Sequence, residues 1–260
     1  MDAFGALREE LDQWAARGRA ASLWWRDDDL MAPTPALDRA IDLANQFETL
    51  IALAVIPKDV VPDLVDRLAG TPSWVLVHGW CHQDHAATGE KKHEFGASRD
   101  LSARMTDARC ALAPIQELFP EQPACFVPPW NRIGADLVAP LDDLGYKALS
   151  TFGARSLTGQ QARTSKSLVW VNTHVDLIDW RGNRGFIGVP ALVKALVDQL
   201  AARRLGRVEP GEPTGILSHH LVTDEAGWRG LEAVLAVLCE HPGCGFADPA
   251  MLFDPMKQRA

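Results

Sequence analysis

The chain has 260 residues, and 26 Lys and Arg against 34 Asp and Glu give a formal net charge of −8. This acidic balance argues against a general binder of nucleic-acid backbones, because such binding depends on Lys and Arg that neutralise phosphates. Hydrophobic residues at 47% and charged residues at 23% are globular proportions, which exclude a disordered or fibrous chain. The sequence contains neither a stretch of about 18 apolar residues nor a signal-peptide-like start, so we expect a cytoplasmic protein without membrane insertion.

Short apolar runs alternate with longer segments of 3.6-residue periodicity, a pattern typical of repeated βα units around a parallel sheet or barrel. Seven strands are predicted, at Ser22–Arg26, Leu50–Val55, Trp74–Val77, Ala124–Val127, Ala148–Thr151, Val169–Val171 and Gly215–Ser218. Helices are predicted within residues 1–20 and at Pro35–Gln46, Val60–Leu68, Ser98–Leu118, Gly134–Leu144, Pro190–Leu205 and Glu225–Cys239. Residues 153–188, rich in Gly, Arg, Ser and Thr, are expected to form a long loop excursion over one end of the barrel. No linker interrupts the pattern, so residues 1–260 are expected to form one domain.

Polar clusters follow five of the predicted strands, and in parallel α/β folds the chemistry gathers at the C-terminal ends of strands. The first cluster is the run Arg26, Asp27, Asp28 and Asp29. Three adjacent carboxylates repel one another, so the run is either solvated or neutralised by a cation. Taken alone, a solvated loop is the simpler interpretation.

The second cluster is the segment 78–82, which has a histidine at each end. This spacing lets the imidazoles of His78 and His82 face the same point from one helical turn or a tight loop. A strand-end carboxylate from elsewhere would complete the three-ligand set of a catalytic metal site. Each histidine alone is equally explained as a hydrogen-bonded structural group, and the nearby His85 and His93 fit the spacing less well.

The three remaining clusters are the segments 126–132, 176–180 and 216–220. In the first of them two prolines fix the backbone and lack N–H groups, which leaves the N–H of Trp130 as a rigidly presented donor. In the last, an apolar strand delivers two histidines to its end. A plain turn and structural histidines are the simpler interpretations of these segments in isolation.

In this order, the five clusters resemble the five motifs of the polysaccharide deacetylase family, also called the NodB-type domain or carbohydrate esterase family 4. That family is written with Asp-Asp, His-x-x-x-His, Arg-Pro-Pro-Tyr-like, Asp-x-x-Asp-Trp and Leu-x-His motifs, and segments 78–82, 176–180 and 217–219 match it well. The resemblance covers residues 26–220. It implies an α/β fold, a distorted (β/α)7 barrel with parallel strands, in agreement with the seven predicted strands.

The first motif departs from the family pattern, because three aspartates run together and no glycine follows them. The functional pair is therefore either Asp27 and Asp28 or Asp28 and Asp29. We favour the second pair, because Arg26 then stands two residues before it, as in divergent relatives of the family.

The third motif also departs, because Val127 stands where the family has an arginine that pairs with the catalytic base. The loss of that arginine leaves the orientation of the base without its usual support. Arg26, Arg132 and Arg181 are the three candidates to replace it.

Carried over residue by residue, the resemblance implies a metal centre and an acid–base pair. Asp29, His78 and His82 would hold one divalent metal, and this mixture of oxygen and nitrogen ligands suits Zn²⁺, with Co²⁺, Ni²⁺ or Fe²⁺ compatible. Such a metal polarises the acetyl carbonyl and activates water. Asp28 would be the general base, and His219 would protonate the departing amine or alcohol.

The resemblance also implies supporting roles. Asp179 would lie behind the acidic histidine, orient it and favour its charged form. The Trp130 N–H would stabilise the oxyanion of the tetrahedral intermediate, and Leu217 would shape the pocket for the acetyl methyl group. Trp80, Trp130 and Trp180 are candidates for a groove in which sugar rings stack, with a place in the core as the alternative.

The implied function is a metal-dependent hydrolase that removes an acetyl group from an N- or O-acetylated carbohydrate or glycan precursor. Two alternatives stay open. A catalytically weak, metal-containing sugar-binding protein would explain the missing arginine, and a metal-dependent amidohydrolase on a non-sugar amide would suit the expected cytoplasmic location. The expected partner is an acetylated sugar or glycan precursor and not a nucleic acid, and the sequence predicts no particular oligomeric state.

Overall fold

A computed structural model of the chain describes residues 3–155 and 168–253. The strands of the described residues are β1 (Ala21–Leu30), β2 (Ile51–Val55), β3 (Ser73–His78), β4 (Cys125–Val127), β5 (Ala148–Leu149), β6 (Val169–Trp170), β7 (Val175–Asp176), β8 (Thr214–Ser218) and β9 (Cys244–Phe246). The α-helices are α1 (Gly5–Ala15), α2 (Pro35–Gln46), α3 (Asp63–Leu68), α4 (Leu101–Leu118), α5 (Ala135–Asp143), α6 (Val189–Arg204), α7 (Glu225–Glu240) and α8 (Pro249–Leu252).

All strand pairs are parallel, and the neighbours run in the order β6-β5-β4-β3-β2-β1-β8-β7, with β9 beside the start of β1. The two strands at the ends of this order belong to one extended stretch, residues 169–176, which we call the closing segment. Its first half pairs with β5 and its second half with β8. Between the halves, Thr173 bridges to Phe152 and the His174 N–H donates to the Gly215 carbonyl at 2.7 Å. The closing segment thus completes a distorted barrel of seven strand positions, which confirms the predicted (β/α)7 fold.

Alternation along the strands separates two apolar cores, because successive side chains point to opposite faces of a sheet. One face packs against the helices through side chains that include Leu23, Trp25, Leu53, Val77, Phe126, Leu149 and Ile216. The opposite face fills the barrel interior with Trp24, Ala52, Ala54, Leu76, Cys125, Val127, Ala148, Val169 and Val171. Leu252 and Phe253 join this interior core, and the Phe253 ring meets Trp24 edge to face at 5.5 Å. The interior is therefore packed, and the open chemistry lies at the strand ends.

The predicted helices are found near their predicted bounds, and α2 matches its prediction at both ends. Side-chain caps explain several starts. Thr34 accepts from Leu37 N–H at the start of α2, and Asp224 accepts from Gly227 N–H at 2.7 Å at the start of α7. No helix of the described ranges combines the length and apolarity that membrane crossing requires.

The stretch 153–188 differs from the predicted loop excursion. Its residues 169–176 form the closing segment, so the sequence prediction of one strand at Val169–Val171 captured only the first half of it. Asn172, Thr173 and His174 read as polar loop residues in the sequence, yet all three are buried because they lie between β5 and β8. Residues 156–167 of the predicted excursion lie outside the described residues.

Candidate active site

Polar side chains gather at the C-terminal ends of β1, β3, β4, β7 and β8. In β1 the inward-facing alternation brings Arg26 and then Asp28 to the top of the barrel. The β1–β2 register shifts between Asp27 and Leu30, and Asp29 has a left-handed backbone with φ of 73°. A bulge re-aims the side chain that follows it. The bulge therefore explains how two adjacent aspartates both serve the same end of the barrel.

The bulge brings Asp29 between two imidazoles. Its Oδ1 lies 3.0 Å from Nε2 of His78 and 3.3 Å from Nε2 of His82. One ligand-type atom from each of the three residues lies within 4.8 Å of the others. The structure thus brings together the three residues that the sequence assigned as metal ligands.

The geometry of this triad suits a divalent metal. The Nδ1 of His78 lies 3.1 Å from the Val127 carbonyl, which can only accept, so Nδ1 carries a proton. When the ring is neutral, its other nitrogen, Nε2, therefore has a lone pair available for a metal. Carbonyl anchoring of this kind is usual for metal-ligating histidines. Zinc bonds of about 2.0–2.1 Å in a tetrahedron separate neighbouring ligand atoms by about 3.3 Å. The two oxygen–nitrogen distances around Asp29 are close to that separation.

The charges of the triad also suit a divalent metal. Burial raises the pKa of Asp29, but the hydrogen bond from His78 and the neighbouring imidazoles outweigh burial and hold that pKa well below its usual range. Burial lowers the pKa of His78, whereas the charge of Asp28 and the bond to Asp29 raise it, with a raised pKa as the result. Burial and the charge of His78 lower the pKa of His82. The triad therefore offers a carboxylate and at least one neutral imidazole.

Strained backbone surrounds the triad. Besides Asp29, positive φ values occur at Gly79 (58°), His82 (55°), Trp130 (54°) and Asn131 (56°). Non-glycine residues pay for this conformation and retain it where the surroundings over-determine it, commonly at functional sites. The sequence left open whether the two histidines converge from one helical turn or from a tight loop. The structure has a tight loop, with left-handed backbone at Gly79 and His82.

Asp28 is held by Arg26, two residues earlier on the same strand. The Nη2 of Arg26 donates to Oδ2 of Asp28 at 3.0 Å, and its Nε lies 2.8 Å from Oδ1. The same guanidinium donates to Ser150 Oγ and to Asn131 Oδ1, both at 2.6 Å. Arg26 is fully buried. Of the three arginines that the sequence left open, Arg26 is the one that contacts Asp28, the predicted base.

The other two arginines lie elsewhere. Arg132 donates to the Lys92 carbonyl at 2.5 Å, and Arg181 lies on an exposed turn where its N–H meets Asp179. Val127, at the family's arginine position, is fully buried in the interior core. Position 127 can be apolar because the guanidinium that contacts Asp28 belongs to Arg26 of β1.

The first aspartate of the run, Asp27, faces away from the triad into a buried network. It accepts from Ser218 Oγ at 2.5 Å and pairs with Nδ1 of His220 at 2.5 Å. Trp25 Nε1 donates to the same Ser218 oxygen at 2.8 Å. The expectation of a solvated loop is therefore wrong for this residue. His220, to which the sequence gave no role, is buried as its partner.

His219 follows β8 and is 8% exposed at the site. Its Nδ1 lies 3.9 Å from Oδ1 of Asp176, and the ring of Trp180 meets its ring edge to face at 4.9 Å. Trp180 Nε1 in turn donates to Asp176 Oδ2 at 2.8 Å. Burial raises the pKa of Asp176, and the charge of His219 opposes that effect.

The assignment of Asp179 behind this histidine is wrong. Asp179 is exposed, and its Oδ1 accepts from the Gly182 N–H at 2.9 Å within a turn that returns the chain to a bridge between Ile178 and Phe186. Asp176 takes the place instead, because it is the last residue of β7 and pairs in register with Leu217 of β8. Asp176 and Asp179 belong to the same sequence motif. They differ in position, because Asp176 ends β7 and Asp179 lies in the turn that follows.

The remaining predicted residues divide between site and core. The Trp130 ring lies 4.3 Å from the His82 ring, and its N–H has no hydrogen-bond acceptor within the described ranges. Leu217 is fully buried directly beneath His219, and Trp180 is 44% exposed at the mouth of the site. Trp80 is half-buried and packs against the core on the helix side of the sheet, which favours the core alternative for it.

The two competing histidines stay outside the triad. His93 Nε2 lies 2.9 Å from Ser98 Oγ, and its Nδ1 accepts from Gly96 N–H at 3.0 Å. His85 uses its backbone N–H to bond the His93 carbonyl. Glu94, which the sequence analysis missed, is fully buried and accepts from the N–H groups of the loop that carries His82. It lies in an irregular loop without local pattern, so no sequence signal marks it.

Fold and site together define a distorted (β/α)7 barrel with a three-ligand centre at the C-terminal ends of its strands. This is the fold of the NodB-type polysaccharide deacetylases, carbohydrate esterase family 4. A Mycobacterium smegmatis protein described as a polysaccharide deacetylase aligns over 93% of this chain and 89% of its own, with a TM-score of 0.66 and 13% identity. No family model and no curated protein matches the sequence.

Two further solved structures share the fold. A family 4 carbohydrate esterase from Streptomyces lividans, in complex with acetate, aligns over 89% of this chain and 95% of its own, with a TM-score of 0.53 and 16% identity. A family 4 acetyl xylan esterase from Clostridium thermocellum, in complex with a cobalt ion, aligns over 90% and 95%, with a TM-score of 0.50 and 17% identity. At these identities the likeness establishes the common fold.

Proposed function

We propose that this chain is a metal-dependent hydrolase that removes an acetyl group from an N- or O-acetylated carbohydrate. The observation that carries the proposal is the placement of Asp28, fixed by Arg26, next to the triad of Asp29, His78 and His82. Solved structures of the same fold include an esterase with bound acetate and one with bound cobalt, which supports both the substrate class and the metal. We further propose that the whole chain forms one catalytic domain.

The triad would hold one divalent metal, with Zn²⁺ the best match to its ligand types and Co²⁺, Ni²⁺ and Fe²⁺ compatible. When bound, such a metal supplies Lewis-acid polarisation of a carbonyl and lowers the pKa of water. The chain's own contribution is to fix the three ligands before the metal arrives. Val127 anchors His78 through its carbonyl, and the bulge in β1 fixes Asp29.

Asp28 is the residue placed to accept a proton from the attacking water. General-base catalysis needs a carboxylate that is ionised and held still. The guanidinium of Arg26 places a positive charge at hydrogen-bond distance from this carboxylate and holds it still, because it contacts both of its oxygens. Ser150 and Asn131 fix the guanidinium in turn.

His219 is the residue placed to protonate the leaving amine or alcohol. It needs the charged imidazole for that step, and the Asp176 carboxylate lies 3.9 Å from its Nδ1. The Trp130 N–H is free to donate to a developing oxyanion, and one such donor contributes about 3–4 kcal/mol in other hydrolases. Leu217, two residues before His219, is fully buried and would form the apolar floor for the acetyl methyl group.

Trp180 is the residue placed to stack on a sugar ring. Its ring is 44% exposed, and its N–H is tied to Asp176, so the face is held rigidly beside His219. Rigid aromatic faces bind apolar ring surfaces at low cost in side-chain entropy. We propose Trp130 as a second such surface and no longer include Trp80.

The test is acetate release from a panel of acetylated compounds by the purified protein. The panel contains N-acetylated chito-oligosaccharides, O-acetylated xylo-oligosaccharides, monomeric N-acetylglucosamine and the non-sugar amide acetanilide. Activity should require added Zn²⁺ or Co²⁺ and disappear after chelation. It should also be lost in the double variant with His78→Ala and His82→Ala, while His85→Ala, a histidine outside the triad, retains it.

The outcomes separate the alternatives. Binding of sugars with bound metal but no acetate release would favour the sugar-binding protein over the enzyme. Release from acetanilide alone would move the substrate class away from sugars. Stoichiometric metal retained by the double variant would refute the metal site itself.

A further inference from the structure

Glu94 makes contacts that no role described above explains. Its side chain is fully buried, and it lies 12 residues beyond His82 in the chain. Its Oε2 accepts from the backbone N–H groups of Trp80 and His82, both at 3.2 Å, and its Oε1 accepts from the N–H of Cys81 at 2.9 Å. The Cys81 thiol donates to the same Oε1 at 3.2 Å. One carboxylate thus receives three consecutive backbone donors of the loop that carries a metal ligand.

The backbone of this loop is shaped to receive an anion. The backbone is left-handed at Gly79, just before the three donors, and at His82, the last of them. The three N–H groups converge on one carboxylate and form a concave anion-binding site. A side chain at Gly79 would collide with the Glu94 carboxylate and with Pro129. Glycine, carboxylate and loop are therefore packed as one unit.

The charge of Glu94 also bears on the triad. No Lys or Arg side chain of the described ranges forms an ion pair with this carboxylate. The carboxylate lies directly against the backbone of His82, whose N–H donates to its Oε2 at 3.2 Å. The thiol of Cys81 is a donor here, because burial and the bond to Glu94 raise its pKa to about 11.

We propose that Glu94 is the positioning residue of the metal centre. It holds the peptide groups of residues 80–82 so that Nε2 of His82 stays 3.3 Å from Oδ1 of Asp29, and it adds a negative charge behind the ligands. Cation affinity thus depends on a residue that does not itself touch the cation. This inference rests on the metal site proposed above, and it names the group that makes that site rigid.

The central experiment compares Glu94→Gln with Glu90→Gln. The Glu94→Gln amide has a single acceptor oxygen, and its NH₂ group would face a backbone donor in place of the second oxygen. We expect the Zn²⁺ dissociation constant, measured by competition with a chromophoric chelator, to rise about 10- to 100-fold, the usual effect of losing a group behind metal ligands. Glu90 is an exposed carboxylate of the same loop that bonds to Ser98 and Ala87, so its variant should bind Zn²⁺ like the wild type.

A second measurement needs no metal. Amide hydrogen exchange of residues 80–82 in the metal-free protein should be faster in Glu94→Gln than in the wild type and unchanged in Glu90→Gln. A Glu94 that merely contributed to global stability would raise exchange throughout the protein. Faster exchange confined to this loop distinguishes positioning from general stabilisation.

Glu94→Asp covers the case in which Glu94→Gln does not fold. It keeps the charge and both oxygens but is one methylene too short to reach all three donors, so weaker Zn²⁺ binding and faster loop exchange are expected again. Wild-type affinity together with wild-type exchange in a folded variant would overturn the inference. Failure of the wild type to bind Zn²⁺ would refute the proposed function, and the exchange measurement would still decide whether Glu94 holds the loop.

Discussion

Arg26 and Asp28 lie on the same face of β1 and form a buried pair in which the guanidinium contacts both carboxylate oxygens, at 3.0 and 2.8 Å. The pair forms between positions i and i+2 of one strand, where side chains point the same way. The arginine therefore reaches the base from its own strand, and its guanidinium stands in for an arginine at position 127. A buried valine can occupy that position for this reason.

Arg26→Lys should separate charge from geometry at the base. Lysine keeps the positive charge but cannot contact both carboxylate oxygens and also reach Ser150 and Asn131. We expect kcat to fall about 100-fold with unchanged metal content, the scale of a lost general-base contribution. Arg132→Lys, on the loop whose arginine bonds only the Lys92 carbonyl, is the control and should keep wild-type kcat. Wild-type turnover in Arg26→Lys would contradict the assignment.

The three aspartates should give three different phenotypes. Asp28→Asn should keep the metal and lose activity, whereas Asp29→Asn should lose the metal, because only Asp29 lies between the two imidazoles. Metal content is measured by atomic absorption and activity by acetate release. Metal loss in Asp28→Asn with metal retained in Asp29→Asn would show that the functional pair is shifted by one residue.

Asp27→Asn should act on stability, because Asp27 is buried with Ser218 and His220. Burial lowers the pKa of His220, but the charge of Asp27 and its hydrogen bond raise it, and the net pKa is above 6.5. A raised folded-state pKa stabilises the fold fully below the unfolded pKa, and this stabilisation is lost as pH rises through the folded pKa. The wild type should therefore exceed Asp27→Asn in unfolding free energy most at pH values below about 6.5, and less at higher pH.

Urea unfolding of the metal-free proteins between about pH 5.5 and 9 measures this difference. We expect about 1–3 kcal/mol at the acidic end, the cost of weakening a buried charged hydrogen bond. His220→Asn serves as the partner control and should remove the same pH dependence. If the difference in unfolding free energy between the wild type and Asp27→Asn grew as pH rises, the Asp27–His220 pair could not be its source.

Asp176 and Asp179 should separate in the pH–rate profile. Asp176→Asn removes the carboxylate that lies 3.9 Å from Nδ1 of His219, so kcat should fall with unchanged metal content and the pH–rate profile should change. Asp179→Asn changes an exposed turn and should leave the profile in place. His219→Ala should lower kcat about 100-fold or more with unchanged metal content. A shift in Asp179→Asn alone would restore the original assignment from the motif.

Much of this site follows from the sequence, because strand ends of parallel folds converge. The order of the five polar clusters carried the family resemblance, and that resemblance implied the barrel. The spacing of His78 and His82 predicted that they converge, and the resemblance implied an aspartate of the first cluster as the third ligand. The choice between Asp176 and Asp179 depended on where β7 ends. That strand consists of Val175 and Asp176 alone, so a small error in its predicted end changes which aspartate is selected. Hydrophobic periodicity does not resolve boundaries at that scale.

Arg26 and Glu94 illustrate the other limit. The sequence named Arg26 as one of three candidates. What separates it from the other two is its position in β1, where it follows Trp24 on the face that points into the barrel. Glu94 lies in a loop where neither period nor motif applies, and its partners are backbone groups that any sequence would offer. A side chain that binds backbone groups elsewhere in the chain does not require particular residues there, so the sequence contains no pattern that would reveal the contact.

The closing segment also has a consequence for the order of folding. Trp24 donates to the Asn172 carbonyl across a separation of 148 residues, and a side chain at Gly215 would collide with both of these groups. Contacts that distant carry a large loop-closure entropy and form late. We expect the β1–β4 half of the sheet to fold first and the seam at Gly215 to close last. Gly215→Ala should then slow the final refolding phase, with hydrogen exchange protection appearing in β2 and β3 well before β7 and β8.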